Sequence, residues 1–195
     1  MDELLAYLDS IFPLSSELRD HLRGIVYRRE TKRKDMLLRP GNVCRELYFI
    51  ESGLVRGFHL KRGDEVNNWL VKEGEICIDV LSFFRQRPTS NFIQTLENGV
   101  LWGVRHDDLQ ATYLQFLEFN IVRAKITELY YMMSEERAYC LNQLNARERY
   151  EYARENWAWM FQRTASGKYR VPQKHVASLL GVKPETISRR KRPSD

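Results

Sequence analysis

The distribution of glycine and proline constrains the fold of this chain more than any other sequence feature. Residues 104–166 contain neither, whereas turn-forming groups such as Pro40-Gly41-Asn42 recur between positions 40 and 103. Long stretches free of both residues favour helices, and short segments separated by turns favour strands. The sequence therefore predicts an α+β protein with a β-rich first half and a helical second half.

The first 105 residues divide into two short helices and a series of strands. Pro13 separates the two helices, and Ser15 can cap the second. From residue 25 onward, apolar runs alternate with turns at intervals of about ten residues, which predicts a sandwich or barrel of the jelly-roll kind. Residues 62–64 are predicted as a hairpin tip, and Asn98-Gly99 as the type I′ turn of a last hairpin.

A long helix is predicted after residue 114, because apolar residues then recur at steps of three and four. A helix of about 25 residues would span about 38 Å, which is long for a domain this small. We therefore expect it to pair with its twin in a homodimer. A helix packed only along its own domain is the alternative. The predicted dimer residues are Phe119, Val122, Ile126, Leu129, Met133 and Cys140.

The excess positive charge lies at the C-terminal end. The chain has 31 basic and 26 acidic residues, a net charge of +5. Residues 168–195 contain eight of the basic residues and only two of the acidic ones, so the first 167 residues are nearly neutral. A positive field confined to one end favours a polyanionic partner there.

Residues 173–192 have the pattern of a helix-turn-helix motif. Val176 and Leu179 mark the inner face of a first short helix, and Gly181 can adopt the positive φ that ends it. Pro184 suits the first turn of a second helix, because its missing N–H costs nothing there. A solvated basic tail beside a small helical hairpin is the alternative.

The polar side of the second helix offers the chemistry that recognises bases. Arg189 can bond to guanine O6 and N7, and Glu185 can accept from cytosine N4. Neighbouring lysines and arginines suit phosphates, which fix position without discriminating sequence. The candidate DNA-binding residues are Gln173, Lys174, Lys183, Glu185, Thr186, Ser188, Arg189, Arg190, Lys191 and Arg192.

Residues 177–189, Ala-Ser-Leu-Leu-Gly-Val-Lys-Pro-Glu-Thr-Ile-Ser-Arg, resemble the recognition segment of the Crp/Fnr family of bacterial transcription regulators. The resemblance covers nearly the full length. It implies a cyclic-nucleotide-binding-type β jelly roll in residues 1–113, a dimerisation helix in 114–143 and a winged helix-turn-helix domain in 144–195. Because the chain stops at residue 195, we expect this last domain to lack the family's closing β-hairpin.

Two residues match the base-reading positions of the family, namely Glu185 and Arg189. The third such position, often arginine, is Pro184 here, so the resemblance implies a different target sequence from that of the catabolite activator protein. It also implies double-stranded DNA with a palindromic site as the partner of a homodimer, with RNA polymerase as a further candidate partner.

The segment that would hold a cyclic nucleotide departs from the family pattern. In cAMP-binding members a glycine-glutamate pair holds the ribose, and an arginine followed by Ser or Thr holds the phosphate. Asp79 stands at the glutamate position and Thr89 at the arginine position. A buried phosphate needs a charge-assisted partner, so we expect no binding of cAMP or cGMP. By analogy, Trp69, Asp79, Thr89 and Ser90 would line a pocket for another small effector, or have only structural roles.

Other functional classes have little support in the sequence. The three cysteines and four histidines are scattered without metal-ligand spacing, so we expect no metal, iron–sulfur cluster or other cofactor. No nucleophilic triad or phosphate loop is present, and we expect no enzyme. The absence of a signal peptide, a long apolar run and paired cysteines predicts a cytoplasmic protein. The alternative function is a cyclic-nucleotide-type module that regulates a protein partner.

Overall fold

The two N-terminal helices begin and end where the sequence predicts. In a computed structural model, which describes residues 1–183, α1 spans Asp2–Ile11 and α2 spans Ser16–Ile25. The Ser15 side chain accepts a hydrogen bond from the backbone N–H of Leu18, which satisfies one of the free donors at the start of α2. The predicted cap is therefore confirmed.

Eight strands form two four-stranded sheets, as expected for a jelly-roll-like unit. The strand order is β1-β8-β3-β6 in the first sheet and β2-β7-β4-β5 in the second, and the neighbours with a resolved register are antiparallel. The strands are β1 Tyr27–Thr31, β2 Met36–Leu38, β3 Glu46–Ser52, β4 Leu54–Lys61, β5 Asp64–Lys72, β6 Ile76–Cys77, β7 Phe92–Thr95 and β8 Gly99–Arg105.

The two faces of the first sheet bury different partners. Ile50 and Leu101 are paired across β3 and β8 and are almost fully buried. Phe49 points the opposite way, as strand alternation requires, and its ring lies 5.3 Å from that of Tyr7 on α1. The N-terminal helices therefore cover one face of this sheet.

One predicted hairpin is wrong. Asn98-Gly99 does connect β7 to β8, but these strands pair with different neighbours and belong to different sheets. At Gly99 the chain passes so close to β3 that a Cβ would lie 2.1 Å from the carbonyl oxygen of Ser52. Glycine is needed for this close approach between backbones, and the segment crosses between sheets. The hairpin tip at residues 62–64 is confirmed, with positive φ at Arg62 and Gly63.

Helices follow the strands, with one short helix among them. They are α3 Val80–Arg85, α4 His106–Gln115, α5 Leu117–Gln143, α6 Ala146–Asn156 and α7 Gln173–Leu179, with a 3-10 turn at Ala158–Phe161. The predicted capping box at the start of α6 is confirmed, since the Asn145 and Glu148 side chains each bond to the other's backbone N–H.

The chain forms two compact units that do not coincide with the division by sequence. The first comprises Met1–Leu60 and Asn68–Leu129, and the second comprises Lys61–Asn67 and the chain from Tyr130 onward. The boundary falls inside α5 and not at its ends. The domain limits at residues 113 and 143 stay predictions.

Three of the predicted dimer residues are buried within the protomer. Phe119 and Val122 are 6% and 0% exposed in the core of the first unit, and Cys140 is 0% exposed in the second. A side chain enclosed by its own chain cannot contact a partner. Ile126 packs partly on the first core, whereas Leu129 and Met133 are exposed. The predicted helical period is confirmed, but most of the six predicted dimer residues pack within the protomer.

Among the described residues 1–183, no helix is long and apolar enough to cross a membrane.

The buried carboxyl of Glu75 makes stability depend on pH. Burial raises the pKa of Glu75 above its usual 4.5, so the folded state binds this proton more tightly than the unfolded state. The stability that this proton contributes is therefore full below about pH 4.5 and falls as pH rises through the raised folded-state pKa, above which it changes no further. We expect Glu75→Gln to raise the urea midpoint at pH 7, with a smaller gain at pH 4. The exposed Glu3→Gln is the control, and an equal gain at both pH values would contradict the assignment.

Candidate functional site

The carboxylate of Asp79 is the centre of a hydrogen-bond network within the first unit. Its Oδ1 accepts from the backbone N–H of Ser82 at 3.0 Å and so caps α3. Its Oδ2 accepts from the Thr89 hydroxyl and from Asn91 Nδ2, both at 2.7 Å. Asp79 is 6% exposed, and three donors satisfy its charge. Two of the four predicted pocket residues, Asp79 and Thr89, are therefore bonded to each other.

The network continues from Asn91 along side chains that the sequence analysis did not single out. Asn91 Oδ1 accepts from Asn68 Nδ2 at 3.0 Å, and Asn68 Oδ1 lies 2.8 Å from His59 Nδ1. The one signal available was Asp79 before a short apolar helix, the usual position of an N-cap. Nothing in the sequence indicated the pairing with Asn68 of β5 and His59 of β4.

The other two predicted pocket residues lie elsewhere in the unit. The indole of Trp69 lies against the backbone of Gly57, where a Cβ would come within 2.2 Å of its Cε2 atom. The Trp69 ring therefore occupies the space that a side chain at position 57 would fill. Ser90 is exposed. The structure therefore does not bring the four residues together around an open pocket.

The charges near Asp79 suit a phosphate poorly. The Asp79 carboxylate would repel an anion. The Thr89 hydroxyl already donates to this carboxylate and so is not free to bond a phosphate. Arg85 and Arg87 of this segment are exposed, so neither is buried beside Thr89. A cyclic nucleotide held here would lack the buried cation that its phosphate requires.

In the second unit, α7 is anchored by the segment Lys61–Asn67, which comprises the hairpin tip and the start of β5. Asn67 is 1% exposed, its backbone N–H donates to Ser178 Oγ at 2.9 Å, and its Nδ2 donates to the His175 carbonyl at 3.0 Å. Ser178 Oγ in turn donates to the Glu65 carbonyl at 3.1 Å. The helix is therefore fixed on one side by a hairpin tip more than 100 residues earlier in the chain.

Two arginines satisfy the carbonyls at helix ends in the same unit. Arg149 donates to the Leu141 and Leu144 carbonyls at the end of α5 and to the Leu180 carbonyl after α7, at 2.7–3.2 Å. Arg137 lies 3.4 Å from the Leu179 carbonyl. These carbonyls have no partners within their helices, so the arginines fix the end of α7 relative to α5 and α6.

The end of α7 has the predicted form. Val176 and Ala177 are fully buried, as expected for a helix packed closely on its neighbours. Gly181 has φ of +61°, the left-handed conformation predicted for the residue that ends this helix. The first helix and the turn of the predicted motif are therefore present, and the predicted second helix lies outside the described residues.

Three of the ten predicted DNA-binding residues can be placed. Gln173 begins α7 and is half-buried, whereas Lys174 and Lys183 are exposed. The other seven lie outside the described residues, namely Glu185, Thr186, Ser188, Arg189, Arg190, Lys191 and Arg192. Within residues 1–183, no group of three or more His, Cys, Asp or Glu side chains could hold a metal ion.

Comparison with known proteins identifies the fold. Residues 28–116 match the sequence model of the cyclic nucleotide-binding domain. No curated protein matches the chain in sequence.

Several solved structures are similar over most of their length. FixK2 from Bradyrhizobium japonicum has a TM-score of 0.67 and 14% identity, over 85% of this chain and 82% of that one. CooA from Carboxydothermus hydrogenoformans, as a doubly substituted variant, has a TM-score of 0.66 and 18% identity, over 94% and 80%. The c-di-GMP-responsive global regulator CLP from Xanthomonas campestris has a TM-score of 0.63 and 18% identity, over 90% and 89%. The chain shares the fold of these proteins.

Replacing Asp79 tests whether its carboxylate is structural. Asp79→Ala removes the cap of α3 and leaves Thr89 and Asn91 without their acceptor, so we expect a loss of about 2–4 kcal/mol in unfolding free energy. Urea denaturation measures it, with the exposed Asp64→Ala as the matched control. Equal stability of the two variants would show that the network contributes nothing.

The anchor of α7 is tested at Asn67. Asn67→Ala removes the side-chain bond to the His175 carbonyl in a buried environment, and we expect a loss of about 2–3 kcal/mol. Hydrogen exchange at the α7 amides should accelerate, because local opening no longer breaks this bond. Asn42→Ala, at an exposed position, should leave the same amides unchanged. Unaltered α7 exchange in Asn67→Ala would contradict the anchoring role.

Proposed function

We propose that this protein is a homodimeric, sequence-specific DNA-binding transcription regulator of the Crp/Fnr type. The observation that carries the proposal is the end of α7. A buried seven-residue helix stops at a glycine of positive φ, and the most basic segment of the chain follows at once. A helix-turn-helix needs this arrangement to present its second helix to the major groove.

The similar structures support the same class of function. CLP is described as a global regulator. DNR from Pseudomonas aeruginosa, with a TM-score of 0.53 and 18% identity, is described as a transcriptional regulator. This chain shares their fold, and its C-terminal end is basic. DNA is therefore the polyanion that we assign to residues 168–195.

An exposed apolar face of α5 supports pairing with a second copy. Leu117, Ile121, Met132 and Tyr139 are 83%, 41%, 56% and 53% exposed, and their spacing places them on one side of the helix. Large exposed apolar residues in a row are typical of an interaction surface. Together with the exposed Leu129 and Met133, predicted from the sequence, they are the residues we assign to the dimer.

The second candidate is a regulatory module that acts on a protein partner. Three apolar side chains of α3, Val80, Leu81 and Phe84, are more than half exposed and favour a protein contact. Removal of residues 168–195 separates the two functions. A regulator loses retention on DNA, whereas a module of this kind keeps its partner binding.

Base recognition is assigned to Arg189 and phosphate contact to Lys191. In selection from randomised duplex DNA at about 150 mM salt, we expect a palindrome for the unmodified protein. Arg189→Ala should weaken specific binding by about 1–3 kcal/mol and relax one base position. Lys191→Ala should weaken all sequences alike and reduce the salt slope by about one unit. Equal loss of specific and random binding in both variants would contradict the division of roles.

The dimer face is tested by a single charge. Ile121→Glu places a carboxylate in the assigned contact, so we expect the sedimentation coefficient to fall to that of a monomer at micromolar concentration. Thr127→Glu adds the same charge at an exposed position on another side of α5 and should leave the dimer intact. A monomeric unmodified protein, or dissociation by both variants, would refute the assignment.

A further inference from the structure

A cavity of about 500 Å³ opens in the first unit, and its lining differs from the predicted pocket. It lies between β2, the loop that follows β2, the start of β3 and Ile93 of β7. None of Trp69, Asp79, Thr89 and Ser90 is among its lining residues. Its volume lies in the range of sites that hold small organic molecules.

One side of the cavity is apolar. Leu37, Leu38, Val43 and Ile93 contribute to it, and Leu38 and Ile93 are themselves 8% and 2% exposed. Such a surface favours a ligand with a hydrocarbon body, because burial of apolar area is the main source of its affinity.

The other side carries a carboxylate with spare acceptor capacity. Glu46 Oε1 accepts from the Tyr27 hydroxyl at 2.5 Å, and Oε2 accepts from the Tyr48 hydroxyl. A carboxylate has about four lone-pair directions, so two remain after these bonds. The Glu46 side chain is 34% exposed, and with Tyr48 it lines the cavity. Burial raises the pKa of Tyr48 and keeps its hydroxyl a donor.

The charges beside Glu46 favour a neutral ligand group over an ion. Arg29 Nη1 donates to the Tyr48 hydroxyl at 2.6 Å and lies 3.8 Å from Glu46 Oε2, so the charge of Glu46 is already balanced. An anion placed beside Glu46 would be repelled by its carboxylate, and a cation there would be repelled by Arg29. Arg45 also lines the cavity, but it is exposed, so water and salt screen its charge. A neutral hydrogen-bond donor meets neither repulsion.

We infer that this cavity binds a small neutral amphipathic molecule, with its hydroxyl or amide donor on Glu46 and its hydrocarbon body on Leu37, Leu38 and Ile93. This inference adds the chemical class of an effector to the proposed function. Only the regulatory role of the ligand, and not its binding, rests on that proposal. The ligand needs no phosphate and does not displace the Asp79 network.

The cavity wall is bonded to the Asp79 segment. Gly41 N–H donates to the Thr89 carbonyl and Thr89 N–H to the Asn42 carbonyl, both at 2.9 Å. Cys44 N–H donates to Ser82 Oγ at 2.9 Å. A ligand that contacts the loop at residues 41–44 therefore acts directly on the segment that holds α3, provided that it binds two arrangements of this loop unequally.

Three matched probes test the class of ligand. Benzyl alcohol, toluene and benzoate each consist of one benzene ring and one further carbon. Benzyl alcohol offers a neutral hydrogen-bond donor, toluene offers no donor, and benzoate is an anion. They are titrated into the full chain without DNA, with labelled Leu and Ile methyl groups followed by NMR. We expect saturable shifts at Leu37, Leu38 and Ile93, with benzyl alcohol binding about tenfold more tightly than either of the other two.

Two variants complete the test. Glu46→Gln removes the negative charge and should reduce the difference in affinity between benzyl alcohol and benzoate. The exposed Glu30→Gln should leave all three affinities unchanged. Leu37→Trp fills the cavity and should abolish the shifts. Equal affinities for benzyl alcohol and toluene, tightest binding of benzoate, or no saturable shift in the unmodified protein would each overturn the inference. Since DNA is absent, failure here leaves the DNA-binding proposal to be judged by its own selection experiment.

Discussion

The arrangement of the first unit depends on one buried carboxylate. Asp79 caps α3 and accepts from two side chains, Thr89 and Asn91, that lie ten and twelve residues further along. An ionised group this buried persists only when donors compensate its lost hydration. Two of the three donors come from the segment before β7, so the bonds that satisfy Asp79 also fix that segment to the start of α3. The positions that would hold a ribose phosphate are thereby used for stability.

In the second unit, side chains satisfy backbone carbonyls at helix ends. α7 has only seven residues, too few for an isolated helix to persist in water. Asn67 and Ser178 fix its side, and Arg149 joins its C-terminal carbonyl to the end of α5. Contacts within the second unit therefore hold a helix that would not persist alone.

Local features of the sequence predicted local structure well. The caps at Ser15 and Asn145 and the glycine after α7 each depend on a few neighbouring residues, and all three are confirmed. The Asn98-Gly99 hairpin was wrong because turn chemistry does not determine which sheet receives the next strand. Half of the predicted dimer residues are buried within the protomer, because a helical period indicates that one face of a helix is covered but not what covers it. The bonds between Asp79 and its distant partners leave no periodic signal, so the closed state of this segment could not be predicted.

The first unit has the fold of a cyclic nucleotide-binding domain, and we propose that it does not bind a cyclic nucleotide. Calorimetric titration of the full chain with cAMP, and separately with cGMP, tests this claim most directly. The bonds of Asp79 and the exposure of Arg85 and Arg87 predict no saturable heat up to about 1 mM nucleotide. This limit corresponds to about −4 kcal/mol of binding free energy. A 1:1 isotherm with micromolar affinity for either nucleotide would contradict it, because the segment would then have to open and supply a phosphate partner that its described contacts do not include.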